Sequence, residues 1–413
     1  MFVNSRSETS WSPHPRYRLY TTSASYIPRL KNGDATAQFE AEICRKFHVA
    51  AAVCVPMART GIYLTLLETI RPGEKIIMSP LTIVDVVNAV MLAGGRPVFC
   101  DIRRETCSID PQKAESLIDN QTAAILITHL HGQTAGASAF RDTCDRRGVA
   151  LIEDTAQAFG AIENARHLGT IGDAGIYSFG FFKNLSTWQG GMVVSNDQKL
   201  IERIRHRIRR FSLVSRRRLL KARLSGLIID VGTWPPIFSN LTYPVVRRNF
   251  GIVSRWLDPE AKSRRLDSFP EEYLRQMRHW QANLGRRQLD QVENDTRARL
   301  AHARQYHNGL GGLAGIIKPP RTQDLSNIYT YFPIQIPNRK KLLLYAQKRR
   351  RDFAAQHLRN CADLPEFREL YQNCPNARAA ASELVLLPTY PRYSLKEIDS
   401  NIETIVDYCS GDL

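Results

Sequence analysis

Between Val149 and Asn196 the chain carries an acid, a hydroxyl and an amine at the ends of successive apolar runs. Val149-Ala150-Leu151-Ile152 reads as a buried strand that stops on Glu153-Asp154. Gly175-Ile176-Tyr177-Ser178-Phe179 reads as a second strand, with Ser178 near its end and Lys183 five residues on. Gly190-Gly191 turns the chain into a third strand, Met192–Ser195. Ligands of open α/β sheets collect at the carboxyl ends of strands. Asp154, Ser178 and Lys183 are therefore expected around one pocket. A lysine amine condenses with an aldehyde as a Schiff base, and desolvation or a nearby cation lowers its pKa and exposes the neutral form. A carboxylate keeps a pyridine nitrogen protonated, so that the ring accepts electrons. A hydroxyl and backbone N–H groups hold a phosphate. Such a set suits pyridoxal 5'-phosphate. One lysine alone carries little weight, because lysines are mostly surface residues.

The order of residues adds to this. Glu153-Asp154-Thr155-Ala156-Gln157-Ala158 is followed by Ser178-Phe179-Gly180-Phe181-Phe182-Lys183-Asn184. These two stretches resemble the E-D-x-A-Q-A and S-F-x-x-x-K-N segments of the DegT/DnrJ/EryC1/StrS family of sugar aminotransferases. The resemblance implies the aspartate-aminotransferase-like (type I) fold of pyridoxal-phosphate enzymes: an α/β large domain around a mainly parallel sheet, and a smaller C-terminal α/β domain. It also implies that Lys183 joins the cofactor covalently and that Asp154 pairs with the pyridine nitrogen. By the same resemblance Gln157 contacts the ring or its phenolic oxygen, and Ser178 binds the phosphate.

Other stretches depart from the family. It has S-G-T-x-A-L where this chain reads Met57-Ala58-Arg59-Thr60, so Ala58 and Arg59 fill the places of a glycine and a threonine that help bind phosphate. That contact is then left to the backbone of a bulkier loop. Arg59 is either a cation on the phosphate side or an outward-facing loop residue. Ile83 stands where the family often has an aromatic residue over the ring. It either covers the ring face by packing or is a plain core residue. His129-Leu130-His131-Gly132-Gln133 is similar to the family's H-L-Y-G-Q segment; no carboxylate or cysteine stands near this histidine pair in the sequence, and no metal is assigned. Gln281–Gly285 resembles I-Q-A-A-L-G, and Leu386–Ser394 resembles L-P-x-x-P. The family's N-Y-R segment, which reaches the partner subunit's phosphate, is replaced by Leu274-Arg275-Gln276. Arg275 or Arg278 is the candidate substitute.

The elements that must position these residues alternate along the chain, as a parallel sheet with crossover helices requires. Phe39, Ile43 and Phe47 are spaced four apart and predict a helix over Ala35–Phe47. Strands are expected at Ala50–Val55, Lys75–Met78, Val98–Asp101 and Ala123–Thr128. Helices are expected from Ile62 to about Ile70, from Asp85 to Ala93 and from Pro111 to Ile118. A smaller domain over 291–413 is expected to contain a strand at Tyr329–Ile336, a helix from Arg339 to about His357 and a final helix from Leu395 to Tyr408. Residues 36–290 form the large domain in this reading, and 1–35 an irregular arm rich in Ser, Pro and Arg.

The 413 residues suffice for two domains, and 43% hydrophobic with 23% charged residues is ordinary for a globular protein. Eight scattered cysteines without a C-x-x-C pair read as reduced thiols of a cytoplasmic protein. The opening residues contain no apolar h-region, so no secretory signal is expected. The formal charge of +17 is unusual for a sugar enzyme. Most of the excess lies between about Arg203 and Arg278, with 18 Lys/Arg against 6 Asp/Glu. There the basic runs mix with Trp234, Phe238, Tyr243, Phe250 and Trp256. This stretch reads as an insertion. Asp230 and Pro235-Pro236 break its apolar part, which excludes a membrane-spanning helix of ~20 apolar residues. Arg/Lys with Trp, Phe and Leu is the composition of an interfacial segment on anionic lipid. A solvated basic helix packed on a dimer partner fits as well. No nucleic-acid motif accompanies the charge, and nucleic acid is not assigned as a partner.

These expectations combine into a cytoplasmic, homodimeric pyridoxal-phosphate aminotransferase, peripheral on the inner membrane surface if the insertion binds lipid. Nitrogen moves from an amino-acid donor such as glutamate to a keto group on an activated or lipid-linked sugar. Two other readings stand beside it: a sugar dehydratase of the same family, whose relatives include members with histidine in place of the lysine, and a non-catalytic membrane-surface binding protein on this fold.

Overall fold

The computed structural model describes residues 12–19, 34–248, 264–322 and 324–411. Phe250 and Trp256 of the basic stretch lie outside the described residues. In chain order the large domain consists of α1 (Ala35–Phe47), β1 (Ala51–Val55), α2 (Ala58–Thr69), β2 (Lys75–Met78), α3 (Val84–Leu92), β3 (Arg96–Phe99), α4 (Pro111–Ser116), β4 (Thr122–Thr128), α5 (Ala137–Arg147), β5 (Ala150–Asp154), β6 (Ala174–Ser178), β7 (Gly191–Ser195) and α6 (Gln198–Ile208). Next come α7 (Arg216–Gly232), α8 (Tyr243–Arg248) and α9 (His279–Arg286). After α9 the chain forms α10 (Val292–Gly309), β8 (Phe332–Gln335), α11 (Arg339–Lys348), the two-residue β9 (Ala354–Ala355), α12 (Pro375–Glu383), β10 (Leu384–Leu387) and α13 (Leu395–Ser410).

The large sheet has the order β1-β7-β6-β5-β4-β2-β3. Pairs from β6 through β3 are parallel, and β7 runs antiparallel to both neighbours. A mainly parallel α/β sheet was the expectation. Alternation sets its two faces. Ala52, Cys54, Met192 and Val194 pack with Phe39, Ile43 and Phe47 of α1. Val53, Val55 and Val193 face α2 with the main core. The edge strand β1 is closed by side chains: Glu40 accepts from Cys54 N–H at 2.7 Å, and Arg205 donates to Ala52 C=O at 2.8 Å.

Boundaries moved where tertiary contacts decide them. α2 begins at Ala58, four residues before the expected Ile62. Gly61 lies in that first turn, and a β carbon there would lie 3.0 Å from Val193 and 3.2 Å from Ile176, so glycine lets the turn sit close on the sheet without displacing those side chains. The helix expected over Arg339–His357 stops at Lys348. Arg350 turns left-handed (φ 61), Arg351 reaches the buried Glu397 at 2.6 Å, and Asp352 binds Arg16. The expected strand at Tyr329–Ile336 shortens to β8, with Tyr329 left-handed (φ 48) before it. α5 had not been anticipated.

The small domain has an antiparallel sheet β8-β10-β9 and its own core around Tyr306, Phe332, Leu342 and Ile398. Between β9 and α12 the chain crosses back. Arg359-Asn360 pairs with Leu81-Thr82, and Leu358, Cys361, Phe367 and Ala377 join the large core. Residues 12–19 of the arm are irregular, and Pro13, Pro15 and Leu19 in them are buried. All eight cysteines are free.

One buried group locks the carboxyl edge of the sheet. Glu153 is fully buried and accepts from Gly169, Ile171 and Gly172 N–H at 2.6–2.8 Å and from His129 Nε2 at 3.0 Å. His129 Nδ1 accepts from Ala135 N–H, so the ring proton sits on Nε2. Removing the acceptor strands four buried donors. Glu153→Ala should therefore lose roughly 3–5 kcal/mol of unfolding free energy, read from urea midpoints. A loss under about 1 kcal/mol would contradict this account.

Candidate active site

Strand direction brings the candidate residues to one edge. Asp154 ends β5, and Ser178 ends its parallel neighbour β6. Gly191, at the start of the antiparallel β7, pairs with Ser178. β1 reaches the same edge and feeds α2, so Ala58 and Arg59 form that helix's first turn. A β carbon on Gly191 would lie 2.9 Å from Ala58 N, so the helix start rests directly on this strand end. Ile83 is the residue before α3, half-buried against the main core.

Lys183 lies on the loop between β6 and β7, which folds back on itself. Phe179 N–H donates to Gly190 C=O and Phe179 C=O accepts from Thr187 N–H, both at 2.9 Å. Leu185 and Trp188 are buried, and the Gln288 side chain holds the backbone of Ser186 from both sides. Asn184 donates to Phe159 C=O at 3.3 Å. Phe182 turns left-handed (φ 58) just before the lysine, and its ring meets Tyr17 of the arm at 4.1 Å. The lysine is thus placed by a braced loop.

Electrostatics join Lys183 to Asp154. The lysine is half-buried. Burial pulls its pKa down from about 10.5 to about 8; Asp154 opposes the shift and Arg59 adds to it. Its Nζ has no hydrogen-bond acceptor among the described residues. Burial pushes the Asp154 carboxyl up, against the Ala156 N–H, Lys183 and His129. That N–H, at 3.0 Å, is the single donor to Asp154 among the described residues. A buried carboxylate with so few donors has room for another.

The remaining candidates differ in how far they are committed. Ser178 is half-buried, and its hydroxyl has no partner among the described residues. α2 starts without a side-chain cap, which leaves its first N–H groups available to an anion. Arg59 donates to Asp85 and, at 3.1 Å, to the Tyr273 hydroxyl, with its guanidinium 5.0 Å from that ring's centroid. Its charge therefore acts from a fixed ion pair. Gln157 Oε1 accepts from His131 N–H at 2.8 Å, and Gln157 C=O accepts from the Thr330 hydroxyl at 2.6 Å. Arg275 pairs with Glu271, and Arg278 donates to Val214 C=O.

Five participants are not among the site residues expected from the sequence. Asp85 and Tyr273 hold Arg59, the His129–Glu153 pair backs Asp154, and Thr330 ties the small domain to Gln157 and Asn184. His129 sits opposite a carboxylate 24 residues away in sequence, which is why no local pattern revealed it. His131 lies beside Gln356, with burial holding its pKa down at about 3.

The sequence profile of the DegT/DnrJ/EryC1/StrS aminotransferase family matches residues 22–232 and 248–406. The chain belongs to this family. The stretch that the profile leaves out, 233–247, is narrower than the insertion expected over 203–278. Along nearly its whole length this family member is similar to the spore coat polysaccharide biosynthesis protein SpsC of Bacillus subtilis: 26% identity over 92% of this chain and 91% of that protein. Its fold is that of sugar aminotransferase CalS13 from Micromonospora echinospora, with a TM-score of 0.74 and 22% identity over 96% and 99% of the two chains. The E. coli GDP-4-keto-6-deoxy-D-mannose-3-dehydratase, solved with bound hydrated PLP, is equally near in fold: TM-score 0.74 and 18% identity over 95% and 99%. These are PLP-dependent fold type I structures, and the family makes this chain an aminotransferase.

The Lys183 shift has a measurable sign. The unfolded amine keeps its proton to about pH 10.5 and the folded amine only to about 8. The unfolded chain therefore binds more protons between those values, and stability rises with pH across that window. In cofactor-free protein, Lys183→Met should stabilise by on the order of 1–3 kcal/mol at pH 7, with the gain gone above about pH 10.5. A gap between the urea midpoints that is independent of pH would refute the coupling.

Proposed function

We propose that this aminotransferase uses pyridoxal 5'-phosphate to move nitrogen from an amino acid, glutamate first among them, to a keto group on an activated or lipid-linked sugar. The observation that carries the reading is the Lys183–Asp154 pair: a desolvated amine in the field of a buried, under-donated carboxylate. The residues fit the cofactor. Asp154 would hold the pyridine nitrogen protonated, and Ser178 with the α2 N–H groups at Ala58 and Arg59 would hold the phosphate. Gln157 and Ile83 would border the ring. When bound, the cofactor supplies an aldehyde for an amine and a ring that accepts electrons.

This chain's residues do the rest. With a pKa of about 8, roughly a tenth of the Lys183 amine is neutral at pH 7, against under one part in a thousand for an ordinary lysine. The neutral amine is both the nucleophile and the base that carries the substrate's α-proton. Asp154 would stabilise positive charge at the ring nitrogen of the bound cofactor. Arg59, held by Asp85 and Tyr273, adds to the depression of the amine that burial causes and would stand on the phosphate side. Under this proposal the enzyme works as a homodimer in the cytoplasm, peripheral on the inner membrane surface through its basic segment. Among the described residues no helix is long and apolar enough to cross a membrane.

Reconstitution with pyridoxal 5'-phosphate should give a visible absorption band that Lys183→Ala lacks. Added glutamate should bleach it, and a panel of nucleotide- and lipid-linked keto sugars should restore it with an aminated product. Asp154→Asn should lower the glutamate half-reaction rate by roughly 10²-fold or more, with the band retained. A band that survives in Lys183→Ala would end the proposal, and one indifferent to glutamate would favour the dehydratase.

A further inference from the structure

α7 is apolar on two opposite sides. Leu219 and Gly226 face inward, with Gly226 against the Trp188 ring and Leu219 in a cluster with Leu19, Trp280 and Leu284. At about 100° per residue, Leu220, Leu224, Leu227, Ile228 and Val231 fall in one arc roughly 100° wide on the other side. All five are exposed, from 44% at Leu227 to 72% at Ile228. Thirteen large apolar side chains are exposed among the described residues, and nine of these lie between Leu213 and Val245. A helix that is apolar on both sides is built to be covered on both.

The surroundings say what covers it. Residues 203–248 contain twelve Lys/Arg and a single acid, Asp230, which faces Arg18. Arg209, Arg216, Arg217, Lys221, Arg247 and Arg248 are exposed and have no carboxylate partner among the described residues. On the run Phe238–Arg248, Leu241, Val245 and Arg248 share one face at i, i+4 and i+7. Beside it a cavity of about 320 Å³ is lined by Tyr243, Pro244, Arg247, Arg248 and Arg350. Arginine forks match phosphate oxygens.

We propose that the outer face of α7 and the arginine cavity at α8 dock this enzyme on an anionic phospholipid bilayer. The leucines enter the acyl boundary and the arginines meet headgroup phosphates. A second copy of the chain is the poorer occupant. A two-fold contact centred on this face would set the cationic surface against itself, within the ~8 Å over which salt leaves charges unscreened. The inference deepens the peripheral-membrane part of the proposed function and rests on that part alone.

The test uses full-length, cofactor-loaded protein and co-sedimentation with vesicles. Vesicles of phosphatidylcholine with about 30% phosphatidylserine should retain the protein at ~0.1 M salt, and pure phosphatidylcholine should not. Leu224→Ser/Ile228→Ser should weaken the partition at least ~tenfold, and Arg247→Glu/Arg248→Glu by a similar factor. Far-UV circular dichroism and the cofactor band should be unchanged in both variants. Failure of the wild type to bind anionic vesicles would overturn the proposal. So would a leucine variant that binds as well as wild type, or one that loses an oligomer in light scattering and keeps its vesicle binding. The glutamate half-reaction, run without vesicles, reports the aminotransferase reading separately, so either can fail alone.

Discussion

Two neighbouring carboxylates end one strand, and the number of donors each receives divides structure from chemistry. Glu153 and Asp154 point to opposite faces because side chains alternate along β5. Glu153 meets three backbone N–H groups and a histidine, which saturates it and pins the segment 169–172 under the sheet edge. Asp154 meets one N–H and is otherwise buried. Its negative charge is left to act on whatever cation comes near, and in this fold that cation is Lys183. Without the saturated neighbour, the strand end that presents Asp154 would carry unpaired buried donors.

The amine needs equal support from its own side. A lysine taken out of water loses its proton more easily, and the same desolvation would push it outward if its loop were free. Here the loop is tied through Phe179, Ser186, Trp188 and Asn184, and the Tyr17 ring covers Phe182. The arm that supplies Tyr17 is anchored in turn, because Arg16 binds Asp352 through its backbone N–H and its guanidinium. Small domain, arm and site loop are therefore mechanically continuous.

The basic stretch follows a different logic. Its inner residues are as well packed as the core: Leu219 and Gly226 meet Trp188, and the Arg223 guanidinium lies 5.3 Å from the Trp280 ring centroid. Its outer residues combine exposed leucines with arginines that meet no carboxylate among the described residues, a combination that costs solubility unless something covers it. Arg203 and Arg207 by contrast share Glu68, and Arg205 closes the β1 edge with Glu40. Three of the basic residues, Arg203, Arg205 and Arg207, therefore tie α6 to α2 and the sheet edge, and six others face outward.

The sequence by itself determined the sheet strands, the alternation that makes the large domain α/β, and the trio Asp154, Ser178 and Lys183. Each is set by local periodicity or by a short ordered motif, which tertiary contacts need not inform. Tertiary structure alone decided that α2 starts at Ala58, where its first turn packs through Gly61 on Val193 and Ile176. It decided that Arg59 is bound by Asp85 and Tyr273, residues 26 and 214 positions away. It ended α11 at Lys348, where Arg351 and Asp352 are drawn to distant partners, and it placed 358–377 back on the large core. The common reason is that burial and donor count are sums over neighbours from remote parts of the chain, and no window of sequence contains them.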